Sequence, residues 1–381
     1  MVGILRRSRA HTLAVVDIAS GHVGCSIISY GADGPGTVIA EARSFLSLEE
    51  RSVEQARARI AEEIAQACKA AREKAGASHP GMHVPLVYAV VHAPWTSSKV
   101  LSARTVFDEE TVVRDLAITR LAQEALAHAE IDRTRVMEAA VLSVHLNGYP
   151  TLVPDGKHAR EAEVAVMVSA ADTALTASAE TAIQAAFPSA KILWRSAARM
   201  HVSTLQLLKK HPEALVVEVG VLATHLIVLS DGMPVAERVI SEGLRTILMR
   251  VHGERPPAEV LGLFRMLSRD ACADDACLML QRAVAAAEPE LVRVFGEAFS
   301  MLAQERHVPN TLVLVAHEDI AAWLGNFFAR IDFAQFTATT LPFSVVVMNA
   351  ALVSPWISSE ANSDTMLALV AARAVADEQS T

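Results

Sequence analysis

The chain has 381 residues, which is long for one domain because domains average about 150 residues. Hydrophobic residues make up 52% of the sequence and charged residues 20%, which supports more than one sizeable core and excludes a collagen-like or disordered chain. The 34 Lys and Arg residues stand against 43 Asp and Glu residues, and a net charge of −9 gives no basic surface for a nucleic acid. We therefore expect a multi-lobed globular protein that binds no nucleic acid.

The cysteines and the N-terminus indicate a cytoplasmic protein. Cys25, Cys68, Cys272 and Cys277 are scattered among apolar neighbours, and we predict that they are reduced thiols in the core. The N-terminus is similar to a signal peptide until Asp17 interrupts its apolar stretch. No stretch approaches the roughly 20 apolar residues of a membrane-spanning helix.

The first part of the chain predicts a three-stranded meander and a long helix. Residues 13–17 form a short apolar run that ends on an acid, and Gly-containing turns separate further strands over 23–30 and 37–42. From 49 to about 74, apolar residues recur at the spacing of an amphipathic helix. We expect this helix to pack on the meander.

The middle of the chain predicts a small α+β subdomain. Strand patterns cover residues 86–91, 99–107, 136–146 and 161–169, and helical patterns cover 109–129 and 172–186. Asn147-Gly148-Tyr149-Pro150 is a strong turn sequence between the last two strands. A strand-helix-strand-strand block of this size can form a core of its own.

A weak internal repeat relates the two halves of the chain. LAVVDIASGHVGCSIISYG, which starts at Leu13, and ALVVEVGVLATHLIVLSDG, which starts at Ala214, share a layout of strand, acid, short loop, strand and Gly turn. Asp17 corresponds to Glu218. A strand over 233–240, helices from 242 to about 306, a strand over 311–315 and a helix over 318–330 follow the second copy. Two lobes built on one duplicated plan explain this order.

Such a duplication predicts a nucleotide site. The short loop of each copy presents backbone N–H groups into a concave surface, and two loops that face each other across a cleft can bind phosphate groups. The acid at the end of each first strand, Asp17 or Glu218, would then contact Mg²⁺ through water.

The loop sequences resemble those of a known superfamily. DIASGHVG at Asp17, EVGVLATH at Glu218 and TLVLVAH at Thr311 resemble the actin-like superfamily, and within it the FtsA and PilM proteins of bacterial cell division and pilus assembly. PWTSSK at Pro94 and LNGYP at Leu146 lie in a block that is similar to the inserted SHS2-type subdomain of those proteins. The resemblance spans nearly the whole chain and depends more on the order of elements than on any short motif.

The resemblance implies an α/β fold of two actin-like lobes, a duplicated ribonuclease H-like fold, with a small α+β subdomain inserted in the first lobe. The implied boundaries are 1–85 for the first lobe, to which 342–381 return, 86–190 for the inserted subdomain and 191–341 for the second lobe, with a helical subdomain at about 242–306. We predict that the terminal helix over 364–376 is core, because it lacks the cationic face and aromatic anchors of an interfacial helix.

The resemblance also implies which residues would contact a nucleotide. These are Asp17, Ser20, Gly21, Glu218, Gly220 and Thr224. The second loop, however, carries Val221 and Leu222 where the superfamily has glycines, and a Cβ keeps the backbone away from phosphate. His225 replaces a metal-directed carboxylate, and the implied adenine-binding turn at 315–318 contains no glycine. We therefore predict weakened or lost ATP binding and no cofactor, with Mg-ATP as the cofactor only where the nucleotide site is retained.

The remaining polar residues predict neither catalysis nor a dedicated metal centre. His79 and His83 have a metal-binding spacing, but Pro80 and Gly81 prevent the helix that would align them. Four dispersed histidines are predicted to serve packing or to lie on the surface: His92, His145, His201 and His317. The sequence contains no hydrolase or P-loop motif. We predict no catalytic residue, and no metal beyond a water-mediated Mg²⁺ at the two repeat acids.

Three functions are open at this point. The preferred one is a non-catalytic scaffold of the FtsA or PilM kind, cytoplasmic or held at the inner face of the membrane through a partner. The resemblance implies either of two partners, the tail of a tubulin-like division protein or the N-terminal peptide of a pilus membrane protein, and self-association is also open. The second function is an active ATP-dependent polymerising protein. The third, ranked lowest, is an enzyme similar to sugar kinases.

Overall fold

A computed structural model describes the chain over residues 11–48, 53–127, 132–151, 153–269, 271, 275–334, 341–358 and 364–380. The strands in chain order are β1 (His11–Ile18), β2 (His22–Tyr30), β3 (Gly36–Phe45), β4 (Leu86–Val91), β5 (Thr96–Val112), β6 (Val136–Leu146), β7 (Tyr149–Pro150), β8 (His158–Ala171), β9 (Lys191–Ser196), β10 (Ala214–Val219), β11 (Thr224–Ser230), β12 (Met233–Ile240), β13 (Thr311–Ala316), β14 (Ser344–Val347) and β15 (Ile357–Ser358). The helices are α1 (Val53–Ser78), α2 (Asp115–Ala127), α3 (Thr173–Ala186), α4 (Ala197–Leu208), α5 (Leu244–Val251), α6 (Pro257–Ser268), α7 (Asp275–Glu305), α8 (Glu318–Arg330) and α9 (Thr365–Gln379).

The first lobe is built on a sheet with the strand order β15-β3-β2-β1-β4-β9. Strands β1 to β3 form the predicted antiparallel meander, and β4 and β9 continue the sheet parallel to β1. Helices α1 and α3 pack on one face of this sheet, where Ile60, Ile64 and Ile183 are fully buried. The helix predicted over 49–74 is observed as α1, and residues 49–52 lie outside the described part of the chain.

The inserted subdomain is an antiparallel sheet in the order β5-β8-β6-β7, with α2 packed on one face. Its strand-helix-strand-strand order is the predicted one, but its limits differ. Because β4 pairs with β1 in the first lobe and α3 packs on α1, the inserted sheet runs from Thr96 to Ala171 rather than over 86–190. Helix α2 begins at Asp115 rather than 109, because residues 111 and 112 continue the pairing of β5 with β8.

The second lobe repeats the plan of the first, with the strand order β12-β11-β10-β13-β14. Helices α5 to α8 cover its outer face and share one hydrophobic core with the sheet. The centre of that core is a group of contacting aromatic rings: Phe295, Phe299, Phe327, Phe328, Phe333 and Phe343. Strand β14 pairs with β13, so this lobe extends past its predicted limit at 341.

The internal repeat is visible in the strand register. Asp17 stands opposite Gly24 in the β1–β2 pair, and Glu218 stands opposite His225 in the β10–β11 pair. On its other side each first strand has a parallel neighbour, β4 in one lobe and β13 in the other. The duplicated two-lobed fold predicted from the repeat is therefore confirmed.

Helices α4 and α9 lie between the two sheets. They share a core with Leu13 and Val15 of β1 and with Val216 and Ile227 of the second lobe. Helix α9 approaches β2 closely, because the side chain of Leu367 occupies the space that a Cβ on Gly24 would need. Most of α9 is buried, which confirms the prediction that this segment is core.

The cysteines follow the prediction in part. Cys25 and Cys68 are buried free thiols. Cys277 is disulfide-bonded, so the prediction of a reduced thiol is wrong for this residue, and Cys272 lies outside the described part of the chain. Among the described helices, none is at once long enough and apolar enough to cross a membrane.

The aromatic core of the second lobe gives a test of stability. Phe299 is fully buried, with ring centroids 5.1 Å from Phe333 and 5.4 Å from Phe343. Phe299→Ala should lower the free energy of unfolding by about 3–5 kcal/mol, because it leaves a cavity among rings that cannot collapse. Met301→Ala, on the exposed side of the same helix, is the control and should change it by less than about 0.5 kcal/mol in urea denaturation. Similar losses for both variants would contradict this view of the core.

Candidate functional site: the cleft between the lobes

A buried histidine joins the two acids of the repeated motif. Asp17 and Glu218 lie at the carboxyl ends of β1 and β10, and both are buried where the lobes meet. His92 follows β4, the parallel neighbour of β1, and its ring lies between the two acids. Its Nε2 lies 2.6 Å from Asp17 Oδ1, and its Nδ1 contacts Glu218 Oε1. One imidazole therefore bridges the two lobes.

Two further histidines extend this contact on either side. His22 Nε2, at the start of β2, lies 3.2 Å from Asp17 Oδ2, and His201 Nε2, in α4, lies 3.1 Å from Glu218 Oε2. The groups thus alternate in the order His22, Asp17, His92, Glu218 and His201. We call these five residues the histidine–carboxylate cluster.

The charges in the cluster shift the pKa of its members. Burial alone would lower the pKa of His92, but the charges of Asp17 and Glu218 raise it well above 6.5. Burial alone would raise the pKa of Glu218, but the charges of His92 and His201 lower it well below 4.5. For Asp17, the charge of His92 and the contacts with both neighbouring histidines likewise outweigh burial and lower the pKa. These shifts all favour a protonated His92 between two ionised carboxylates.

The two loops of the repeat contact each other directly. The backbone N–H of Leu222 donates a hydrogen bond to Ser20 Oγ at 3.1 Å. A methyl group of Val221 occupies the space that a side chain at Gly21 would need, so the close approach of the loops requires this glycine. A phosphate group between the loops would have to displace Val221.

The backbone of the second loop is hydrogen-bonded within the protein. Gly220 N–H donates to Ala223 O at 2.9 Å. The carbonyls of Gly220 and Val221 accept from the N–H groups of Leu244 and Arg245, at 2.8 and 3.0 Å. These two amides open α5, so the loop caps a helix N-terminus that could otherwise bind an anion.

A cavity of about 250 Å³ lies beside the loops. His92 and Glu218 line it at one side, and the turn before α8 lines it at another. In that turn His317 Nδ1 accepts a hydrogen bond from Asp319 N at 3.2 Å, and both Asp319 oxygens accept from Arg265, at 2.6 and 2.7 Å. In this arrangement the two loops touch and an imidazole lies between the acids, so phosphate groups could enter between the loops only if the loops moved apart.

Five of the six predicted nucleotide contacts meet where the loops face each other: Asp17, Ser20, Gly21, Glu218 and Gly220. The sixth, Thr224, is buried within the second lobe, where its hydroxyl donates to Glu242 O at 2.7 Å.

The prediction that His92 and His201 only pack or lie on the surface is wrong, because both contact buried carboxylates. The position of His92 in the sequence could have predicted that it lies near Asp17. It directly follows a strand parallel to β1, and the carboxyl ends of parallel strands meet at one edge of a sheet. The position of His201 could not have been interpreted in this way, because His201 lies in α4, a helix that the sequence patterns did not predict.

Three members of the cluster could bind a metal ion. His92, His201 and Glu218 each offer one ligand atom, and these atoms lie within 4.8 Å of one another. Besides these three residues, the described part of the cleft contains the two loops of the repeat, which pack on each other, and ion pairs such as Arg265–Asp319.

The two lobes, the duplicated strand register and the cleft between them define a protein of the actin-like fold class. Solved structures with similar folds include PilM in the PilM-PilN type IV pilus biogenesis complex. The match to it has a TM-score of 0.60 and 14% identity, and it covers 96% of this chain and 98% of that one. At this identity the similarity establishes the fold alone.

Two more distant structures were also found. The ethanolamine utilization protein EutJ from Carboxydothermus hydrogenoformans has a TM-score of 0.45 and 13% identity, with 94% of this chain and 89% of that one covered. A protein with an actin-like ATPase fold from Bacteroides thetaiotaomicron has a TM-score of 0.37 and 9% identity, with 97% and 98% covered. No protein-family model and no curated protein sequence matches the chain.

The cluster predicts a pH-dependent contribution to stability. His92→Gln should destabilise the metal-free protein more near pH 6 than near pH 9. Because the folded-state pKa of His92 is raised above 6.5, its stabilising charge is complete below 6.5 and is lost as the pH rises towards the folded-state value. Removing the cation shared by two buried carboxylates costs about 3–5 kcal/mol near pH 6 and at least about 1 kcal/mol less near pH 9, although His22 and His201 still contact one carboxylate each.

Urea denaturation with a chelator present measures this difference. His145→Gln, in β6 and outside the cluster, is the control and should give one small change at both pH values. An equal loss for His92→Gln at both pH values would mean that the ring contributes by packing and not by charge.

Proposed function

We propose that this chain is a PilM-like scaffold protein that binds a protein partner and neither binds nor hydrolyses ATP. The observation that carries this proposal is the contact between the two loops of the repeat, where Val221 packs on Gly21 and Ser20 bonds to Leu222. A nucleotide would have to separate these loops before its phosphates could enter. It would also have to displace His92 from between two buried acids, which then lose the cation they share.

The alternative of an active polymerising ATPase requires backbone amides that point at phosphate. The amide of Leu222 is bonded to Ser20, and that of Gly220 is bonded to Ala223. Both bonds would have to break on binding. A sugar-kinase-like enzyme needs the same amides, so the same contacts argue against it.

A groove on the inserted subdomain supports the choice of a peptide as partner. It has a volume of about 430 Å³ and lies between α2 and the sheet, lined by Leu126, Val136, Ala139 and Val168 among others. Strand β6 pairs with β8 along one edge. On its other edge β7 pairs with His145 and Leu146, and Thr151 N–H donates to Val144 O, so within the described part of the chain no strand pairs with residues 139–143 on that edge. An extended peptide could add a strand at this edge and place apolar side chains in the groove.

The structure of PilM was solved in a complex with PilN that belongs to type IV pilus biogenesis. We therefore infer a pilus-type partner, the cytoplasmic N-terminal peptide of a membrane protein, which would hold this chain at the inner face of the membrane. A division role with a tubulin-like tail stays a prediction from the resemblance alone.

The first test of this proposal is nucleotide binding. Isothermal titration of the full chain with Mg-ATP should give no saturable heat up to millimolar nucleotide, because the phosphate position is filled by protein. The control is an actin-like ATPase titrated in the same buffer. A dissociation constant in the low micromolar range would overturn the proposal.

The second test concerns the groove. Ala139→Arg places a long cation on an exposed position of the groove, and it should abolish co-purification of the partner from the native host. Leu278→Arg changes an exposed apolar residue of α7 in the second lobe and should leave that co-purification unchanged. Identical partners in wild type and Ala139→Arg would place the binding surface elsewhere.

A further inference from the structure

The histidine–carboxylate cluster contains the donor set of a transition-metal site. His92, His201 and Glu218 are only 3% to 6% exposed, and one ligand atom of each lies within 4.8 Å of the others. Two imidazole nitrogens and a carboxylate are a donor set that binds Zn²⁺, whereas Mg²⁺ prefers oxygen ligands alone. We propose that this cluster is a Zn²⁺ site, with His92 Nδ1, His201 Nε2 and the Glu218 carboxylate as ligands.

Two of the ligand atoms form an ion pair with each other but lack a well-aligned hydrogen bond. His201 Nε2 and Glu218 Oε2 are buried 3.1 Å apart, yet neither has a partner with hydrogen-bond geometry in the described part of the chain. A buried polar atom without a well-aligned hydrogen bond is unfavourable, so a group that satisfies both atoms stabilises the site. Donors bound to one tetrahedral Zn²⁺ ion at about 2.1 Å lie roughly 3.4 Å apart, so the 3.1 Å between these two atoms needs only a small separation to accept the ion.

The opposite edge of the His92 ring is already arranged for metal binding. Its Nε2–H donates to Asp17 Oδ1 at 2.6 Å, and this bond leaves Nδ1 directed at Glu218. Metal-binding histidines almost always donate their other N–H to such a carboxylate, which fixes the tautomer and makes the ligand more basic. Asp17 is therefore a positioning residue of the site, and the ion replaces the proton between His92 Nδ1 and Glu218.

The site also has a path for the ion. His92 and Glu218 both line the cavity of about 250 Å³, so an ion can reach them and a water molecule can complete its coordination from that side. Because the three ligands come from the end of β4, from α4 and from β10, bound zinc would join the two lobes. Zinc should therefore raise the melting temperature of the full chain.

The test begins with the full chain stripped of metal by a chelator and titrated with Zn²⁺ against a chromogenic competitor. We expect one ion per chain with submicromolar affinity. His201→Gln, which removes a ligand, should weaken binding by more than about 100-fold, and Asp17→Asn should weaken it by roughly 10- to 100-fold. His225→Gln, which changes a buried histidine paired with Glu237 outside the cluster, is the matched control and should leave the affinity unchanged.

X-ray absorption at the zinc edge of the loaded wild-type chain gives a result that does not depend on a ligand variant folding. We expect two imidazole ligands with oxygen and without sulfur, and the same spectrum for a His79→Ala, His83→Ala double variant, whose substitutions lie in an exposed loop. No stoichiometric zinc, sulfur ligands, a spectrum changed by the loop variant, or full affinity in folded His201→Gln would each overturn the proposal. A negative result for zinc would not contradict the separate proposal that the chain does not bind ATP.

Discussion

The structure depends on how two buried carboxylates are compensated. The duplicated fold places Asp17 and Glu218 at the ends of equivalent strands, and the two lobes bring both acids into one buried region. Two anions removed from water are unfavourable unless a cation lies between them. His92 occupies that place and contacts both. The same contact that removes the electrostatic penalty therefore ties the lobes together.

The closed cleft follows from this contact. With an imidazole between the acids, the loops that follow β1 and β10 approach until Val221 packs on Gly21. The second loop is then free to cap α5 with its carbonyls. A proton on His92 and a zinc ion on His92, His201 and Glu218 are alternative solutions to the same excess of negative charge. Either one would stabilise the arrangement in which the two loops touch.

The sequence predicts the parts of this molecule that are periodic and local. The limits of β6, β12 and α8 agree with the patterns, and the repeat gives the two acids in the correct register. Strand β9 and helix α4 were not predicted, because β9 is half-buried along most of its length and the buried face of α4 includes His201 and Thr204. The cluster was missed for a related reason. His22 closely follows Asp17 in the sequence, but His92 is 75 residues from Asp17 and His201 lies in α4, so no local spacing marks the contacts of these two histidines.

The first loop shows that small residues in a motif can serve more than one kind of contact. The resemblance implies that Ser20 and Gly21 contact a nucleotide, and both are small residues of the kind that a phosphate-binding loop requires. In the structure the hydroxyl of Ser20 accepts a bond from the second loop, and the missing side chain of Gly21 makes room for Val221. A phosphate group and the side chain of Val221 would each require a small residue at this position of the first loop. A glycine in a motif indicates that another group comes close to the backbone, but the glycine does not determine whether that group is a phosphate or a side chain. At Gly21 the group is the side chain of Val221 from the other lobe. A loop with the sequence features of a phosphate-binding loop can therefore serve as a contact between lobes.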